Sequence, residues 1–370
     1  MPESRSLMSK PSLHSHSDVL ANSIRPSTVA VVIPYFNGSK YIRRSVSSVL
    51  SQTIPADEFV VVDDGSSEEE AEALDLIAME MGFQVLRKDN GGQGSARNYG
   101  VANTKSRFIC FLDQDDFFLK NHIAILLDGV PVDDPHFGWV YGDLMEADGD
   151  GNIIRSEMVQ RHASHPKRFI NELIANDMFI LPSASLIDRE AFESVGGFDV
   201  QFTGYEDDDL FLRMFRRGYN NYFVPRAVTV WCINSESTSY SIRMSRSRLL
   251  YCKKLCDMFP DEEDQQRFYV RDLINPRFRK SIFGDAFKAV TYSKTNQQKK
   301  MNSHKDELID IMNEYVKFIN KNARLSFRSR LSMSVQVFIL EKKSKEIALL
   351  SLYPFAAFRY FRRMIRAVFR

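Results

Sequence analysis

Short apolar segments alternate with longer segments of helical periodicity through the first third of the chain. This alternation limits the fold more than any other feature. Residues 28–36, 59–62, 84–87 and 107–112 read as strands. The second and fourth carry continuous apolar runs, as strands covered on both faces of a parallel sheet must. Pro34 interrupts the first strand, where the chain is expected to turn. After Ser39, a residue able to cap a helix, Ile42, Val46, Val49 and Leu50 fall at helical spacing. Residues 68–81 and 95–103 read as further helices. Strand followed by helix, repeated, predicts an open parallel α/β sheet.

The rhythm loosens after about residue 117. Residues 138–141 read as a strand, and residues 153–158 as its hairpin partner across Asp148-Gly149-Asp150-Gly151. Residues 188–195 and 208–217 read as helices, and 222–230 as a closing strand. From about residue 241 strand signals nearly vanish, and segments such as 307–320 read as amphipathic helices. Residues 1–27, rich in Ser, His, Pro and Asn, read as a disordered tail. The expected organisation is a tail (1–27), an α/β domain (28–240) and a helical basic region (241–370).

Of 370 residues, 44% are hydrophobic and 26% charged, an ordinary globular composition. The net charge of +1 hides an asymmetry. Residues 241–370 hold 28 Lys and Arg against 13 Asp and Glu, net +15, so residues 1–240 are net −14. The second part should favour an anionic partner. Cys110, Cys232, Cys252 and Cys256 form no disulfide framework or zinc set, and read as reduced thiols. The first 27 residues lack the apolar stretch of a signal peptide, and no apolar run reaches the ~18 residues of a spanning helix. The expected location is cytoplasmic.

Acidic clusters carry the chemistry. In Gly204-Tyr205-Glu206-Asp207-Asp208-Asp209-Leu210 four consecutive carboxylates precede an apolar pattern. Like charges packed so closely serve a cation, solvent or proton chemistry. Asp113-Gln114-Asp115-Asp116 ends the strand at 107–112. Hard oxygen donors there suit Mg²⁺ or Mn²⁺, which take one or two carboxylates and complete their shell with substrate phosphates. A solvated acidic turn would use the same residues. Asp63-Asp64-Gly65-Ser66 follows the strand at 59–62, at the sheet edge where open α/β sheets bind ligands. A carboxylate there can accept from a base N–H or a ribose hydroxyl; a helix cap and turn is the alternative. Asp89 to Asn98 is a Gly-rich loop entering a helix, with Arg97 placed to face a phosphate. It is neither a P-loop nor GxGxxG.

In order and spacing, these segments resemble the family 2 glycosyltransferases of the GT-A fold. The resemblance rests on Val-Val-Ile-Pro-Tyr-Phe-Asn (31–37), Val-Val-Asp-Asp-Gly-Ser (61–66), Asn-Gly-Gly-Gln-Gly-Ser-Ala-Arg-Asn (90–98), Leu-Asp-Gln-Asp-Asp (112–116), Val-Gly-Gly-Phe-Asp (195–199) and Glu-Asp-Asp-Asp-Leu (206–210), and covers about residues 28–240. It implies a Rossmann-like open mixed sheet flanked by helices, with a helical C-terminal extension. It also implies metal-dependent, inverting transfer of one sugar from a nucleotide-diphosphate donor, with a UDP-sugar favoured, to a glycan or lipid-linked acceptor. Asp64 resembles the acid that reads the nucleobase, with Pro34 on the wall of that pocket. Asp113 and Asp115 resemble the DxD pair, Asp115 touching the metal. Asp207 resembles the general base and Glu206 an acceptor-binding residue.

One position departs from the pattern. Asn234 stands where the family often has a His that contacts metal or diphosphate. A processive, membrane-embedded synthase is disfavoured, because Gln-x-x-Arg-Trp is absent. His162 and His165 read as ordinary surface residues. Residues 347–370 interleave Leu and Phe with Arg359, Arg362, Arg363, Arg366 and Arg370, and no acid follows Glu346. That pattern suits an interfacial helix on an anionic bilayer; an apolar stripe packed on the domain is the alternative. Nucleic acid is not an expected partner. The setting implied is surface polysaccharide or lipopolysaccharide assembly at the inner face of a bacterial cytoplasmic membrane. Two rivals remain: a sugar-nucleotide nucleotidyltransferase, disfavoured because Pro34-Tyr35-Phe36-Asn37 replaces its Gly-rich loop, and a non-catalytic membrane scaffold of the same fold.

Overall fold

A computed structural model describes residues 27–233, 241–291 and 302–351. The expected tail up to residue 26, Asn234 and residues 352–370 lie outside the described residues. The first elements follow the alternation: β1 (Val29–Tyr35), α1 (Ser39–Leu50), β2 (Glu58–Asp63), α2 (Glu68–Met81), β3 (Gln84–Arg87), α3 (Gln93–Ala102) and β4 (Phe108–Phe111). β1 lies between β2 and β4, with β3 outside β2, all parallel. Pro34 does not turn the chain. It stays in β1 opposite Val62, and the strand runs on to Tyr35. A proline lacks only the donor, so a ladder tolerates it close to a strand end.

The sheet then becomes mixed. β5 (Phe117–Phe118), α4 (His122–Asp128), β6 (Phe137–Asp148), β7 (Ile153–Arg155), α5 (Ile170–Ala175), β8 (Ser185–Asp188), α6 (Arg189–Ser194), α7 (Glu206–Arg216) and β9 (Asn220–Ile233) follow. Across the sheet the order is β3-β2-β1-β4-β8-β6-β9-β5, with β7 paired on β6. β8 is antiparallel to both β4 and β6, while β9 runs parallel to β6. The sheet is therefore the mixed one the family resemblance implies, not the purely parallel one of the alternation. The helix read at 188–195 forms from Arg189 to Ser194. Asp188 ends β8, and its carboxylate caps α6 by accepting the Ala191 N–H at 3.2 Å.

Close packing sets the sheet's working edge. A Cβ on Gly100 would lie 2.4 Å from Val32 Cγ1 and 3.1 Å from Val62 Cγ2. Glycine thus lets α3 press onto β1 and β2, which carries the N-terminus of α3 to their carboxyl ends.

The basic region is helical: α8 (Ile242–Met258), α9 (Asn275–Thr291), α10 (Lys305–Asn322) and α11 (Phe327–Glu341), with a small hairpin of β10 (Asp261–Glu262) and β11 (Arg267–Phe268). One apolar core runs across residue 241. Tyr251 of α8 stacks on Tyr205 at 5.4 Å and meets Phe202 edge-on at 5.9 Å. Among the described residues no helix is long and apolar enough to cross a membrane.

Candidate active site

The carboxyl ends of β1, β2 and β4 form the floor of the site. Asp64, just past β2, is 3% exposed. Its carboxylate accepts the N–H groups of Gly91 (3.0 Å) and Gly92 (2.7 Å) and the ammonium of Lys88 (2.7 Å). Gly92 sits at φ 86°, a conformation that a side chain would oppose. The Asp64 N–H donates to Tyr35 O at 2.9 Å. One residue thus ties two strand ends to the Gly-rich loop.

The acidic segment after β4 is held just as firmly. The Gln114 amide accepts the Phe36 N–H at 2.8 Å and donates to Phe36 O at 3.1 Å. Ser45 Oγ lies 2.6 Å from both Gln114 O and Asp116 O. Asp116 points inward, 1% exposed, and accepts the Cys232 N–H at 2.8 Å. Burial first, then Asp115 and Asp113, pushes its carboxyl well above the ordinary range. Asp116 is therefore a structural tie to β9, and it borders the cavity alongside Asp113 and Asp115.

Arg97 joins the two acidic clusters. It is 2% exposed. One nitrogen donates to Asp113 Oδ1 at 2.6 Å, another to Glu206 Oε1 at 3.3 Å. Gln93 Nε2 donates to the same Asp113 oxygen at 2.6 Å. Its guanidinium lies between two carboxylates, as a buried cation needs charged partners, and it also lines the cavity.

The four-acid run reads differently in three dimensions. The helix begins at Glu206, not Asp208, so all four carboxylates fall in its first turn. Tyr205 precedes it at φ 67°. The N-terminus of a helix favours negative charge, and the side chains then fan apart. Glu206 meets Arg97. Asp208 is paired with Arg277 of α9 and accepts the Met178 N–H at 3.2 Å. Asp209 meets Arg213 at 2.7 Å and Lys254 of α8 at 2.6 Å. Asp207 is half-buried and accepts the Asp208 N–H at 2.8 Å. Among the described residues no Lys or Arg is paired with it. Burial, then Glu206, Asp208 and Asp177, raises its carboxyl well above the ordinary range. Burial also raises Glu206, against the pull of Arg97.

All seven site residues read from the sequence (Pro34, Asp64, Arg97, Asp113, Asp115, Glu206 and Asp207) line one cavity of about 670 Å³. That is the size of a small-molecule site, and carboxylates of both acidic clusters line it.

Residues 30–196 match the profile of the family described as Glycosyl transferase family 2, and residues 181–231 match one described as the N-terminal domain of galactosyltransferase. The similarity to that family covers a little under half of the chain. An uncharacterized glycosyltransferase of Rickettsia bellii is 30% identical over 191 residues, 51% of this chain and 27% of that protein. The succinoglycan biosynthesis protein ExoW of Rhizobium meliloti is 32% identical over 181 residues, 45% of this chain and 57% of that protein. The chain thus spans less than two thirds of these curated relatives. Among solved structures, S. aureus TarS 1-349 aligns with a TM-score of 0.56 at 14% identity, over 89% of this chain and 92% of that one. That likeness establishes a shared fold.

The carboxylates of Asp113 and Asp115 in this cavity are hard oxygen donors of the kind a divalent cation takes. Among the described residues no group of three or more His, Cys, Asp or Glu could hold a metal. A cation that takes one or two carboxylates and completes its shell with substrate phosphates needs only Asp113 and Asp115 from the protein. Sequence reading missed two kinds of contributor to the cavity. Gln93 lies in the Gly-rich loop and could have been found there. Arg243 and Met244 line the cavity from α8, and no motif marks them. His165 is not an ordinary surface residue. Its Nδ1 lies 2.7 Å from the Tyr141 hydroxyl and its Nε2 2.9 Å from Val159 O. Burial first, then Lys167, lowers it to about 4. His162 is exposed and stacks on Phe179 at 4.6 Å.

Proposed function

We propose that the protein is an inverting glycosyltransferase. It moves one sugar from a nucleotide-diphosphate donor to a hydroxyl of a glycan or lipid-linked acceptor, in bacterial surface polysaccharide or lipopolysaccharide assembly. The observation that carries this reading is the isolation of Asp207. Of four adjacent carboxylates, three are paired with cations, and the fourth lines the same cavity as Asp113 and Asp115.

Single displacement with inversion needs a base on the face opposite the leaving group. Asp207 takes the proton of the acceptor hydroxyl as that oxygen bonds to the anomeric carbon and the diphosphate departs. Its raised pKa makes it a stronger base than an ordinary carboxylate. Glu206, fixed by Arg97, orients the acceptor. Asp64 holds the Gly-rich loop and, with Pro34, walls the nucleobase pocket. Asp115, with Asp113, would hold Mn²⁺ or Mg²⁺, which supplies Lewis-acid neutralisation of the departing diphosphate.

A UDP-sugar is the favoured donor, in keeping with the complex of TarS 1-349 with UDP-GlcNAc. Polysaccharide assembly accords with the name of ExoW. The test is incubation with a panel of nucleotide sugars, with and without Mn²⁺, scoring release of the nucleoside diphosphate. Slow hydrolysis of one donor, stimulated by Mn²⁺, is expected. Silence across the whole panel would remove the reading.

A further inference from the structure

Helix α11 is apolar on two faces, and among the described residues only one of them is covered. Met333 and Leu340 are buried, and Arg279 of α9 donates to Ser332 at 2.9 Å. On the other side Phe327 (78% exposed), Leu331 (52%), Val335 (48%) and Phe338 (62%) face outward. At 100° per residue these four side chains share an arc of roughly 80°. Isolated exposed apolar residues are ordinary; four large ones in a row on a helix mark an interaction surface. Past the turn at Lys343, Ile347 (44%) and Leu350 (80%) are exposed as well.

The charges around the arc identify the partner. Arg328 and Arg330 fall on its two sides, and Lys342 lies over the Phe338 ring at 4.6 Å. Among the described residues no carboxylate is paired with Arg328, Arg330 or Lys342. From 324 to 346 the chain holds six basic residues and two acids, Glu341 and Glu346. Glu341 accepts from Asn313 at 2.9 Å.

We propose that α11 is an interfacial helix that seats the protein on an anionic lipid surface. Phe327, Leu331, Val335 and Phe338 enter the acyl boundary, while Arg328, Arg330 and Lys342 meet the headgroups. Apolar burial and headgroup attraction add in such a helix. A second copy of the chain fits less well, since a self-complementary contact would bring together two surfaces of the same net positive charge. The sequence expectation of a lipid contact concerned only residues 347–370, so α11 is a separate contact.

The experiment is co-sedimentation of the full chain with vesicles of equal parts phosphatidylcholine and phosphatidylglycerol, and with phosphatidylcholine alone. Binding to the anionic vesicles only, weakened by salt, is expected. The triple substitution Phe327→Ser, Leu331→Ser, Phe338→Ser should lower partitioning about tenfold or more with its melting temperature unchanged, because those side chains are exposed. Arg328→Gln with Arg330→Gln should lower it less and flatten the salt dependence. Retained binding by the triple variant would overturn the proposal, leaving any lipid contact to residues 347–370. Concentration-dependent dimerisation of the wild type, abolished by the triple variant, would also overturn it in favour of a second copy.

Discussion

Arg277 of α9 is paired with the carboxylate of Asp208, the residue next to Asp207. Both partners are nearly buried, at 8% and 5% side-chain exposure. The same guanidinium donates to Leu173 O at 3.1 Å and lies over Phe278 at 5.0 Å. The helical region thus grips the first turn of α7, where the four carboxylates sit.

Arg277→Gln should therefore act at a distance. Breaking a buried ion pair from one side costs about 3–5 kcal/mol, so the melting temperature falls. The pH profile carries the more specific signal. Asp208 is already raised to about 7 by burial and Asp177 against the pull of Arg277, and without that pull it takes up a proton. A neutral neighbour makes ionising Asp207 easier, so the acid limb of kcat/KM shifts to lower pH. A variant that is less stable but keeps the wild-type pH profile would show that Arg277 has no electrostatic hold on Asp207.

Asp207→Asn removes the proton acceptor with little change in shape. Turnover should fall by about 10² or more, the usual scale for a positioned base, while donor affinity persists. In the wild type, burial and acidic neighbours raise the Asp207 carboxyl. The working form is the ionised one, so activity should rise with pH through a midpoint well above the ordinary Asp value of about 4. Near-normal turnover in Asp207→Asn, together with a dead Glu206→Gln, would exchange the two roles.

Asp115→Ala should abolish transfer together with the Mn²⁺-dependent part of nucleotide binding, measured by calorimetry with and without the ion. The cation would lose one of two protein carboxylates. Full activity of the wild-type protein in EDTA contradicts the assignment.

Asp64→Ala removes the carboxylate that the N–H groups of Gly91 and Gly92 meet, while the Lys88 ammonium keeps Asp89 O. A hydrogen bond to a charged group contributes about 1.5–3 kcal/mol, so the Gly-rich loop should lose its fixed position. Nucleotide affinity should drop about tenfold or more, since 1.4 kcal/mol is already tenfold. Unchanged affinity would mean that neither Asp64 nor the loop it anchors touches the nucleotide.

The sequence by itself determined the sheet's first half and seven of the residues that line the cavity. β2, β3 and α2 are local patterns: an apolar run or a helical period is set by neighbours in the chain. The acids at strand ends are local too, so Asp64, Asp113, Asp115 and Asp207 could be named from the chain alone. Only the tertiary structure decided how the charges divide. Nothing local distinguishes Glu206, Asp207, Asp208 and Asp209. They differ because Arg97, Arg277, Arg213 and Lys254 approach from four directions, most of them distant in sequence. The start of α7 at Glu206 escaped for a related reason: four adjacent acids show no period, and it is the cations around them that make the turn tolerable. β8 was missed because four residues are too few for a pattern, and their strand pairing comes from β4 and β6. The second face of α11 escaped because its apolar residues spread around the helix, and only packing revealed which of them the core takes.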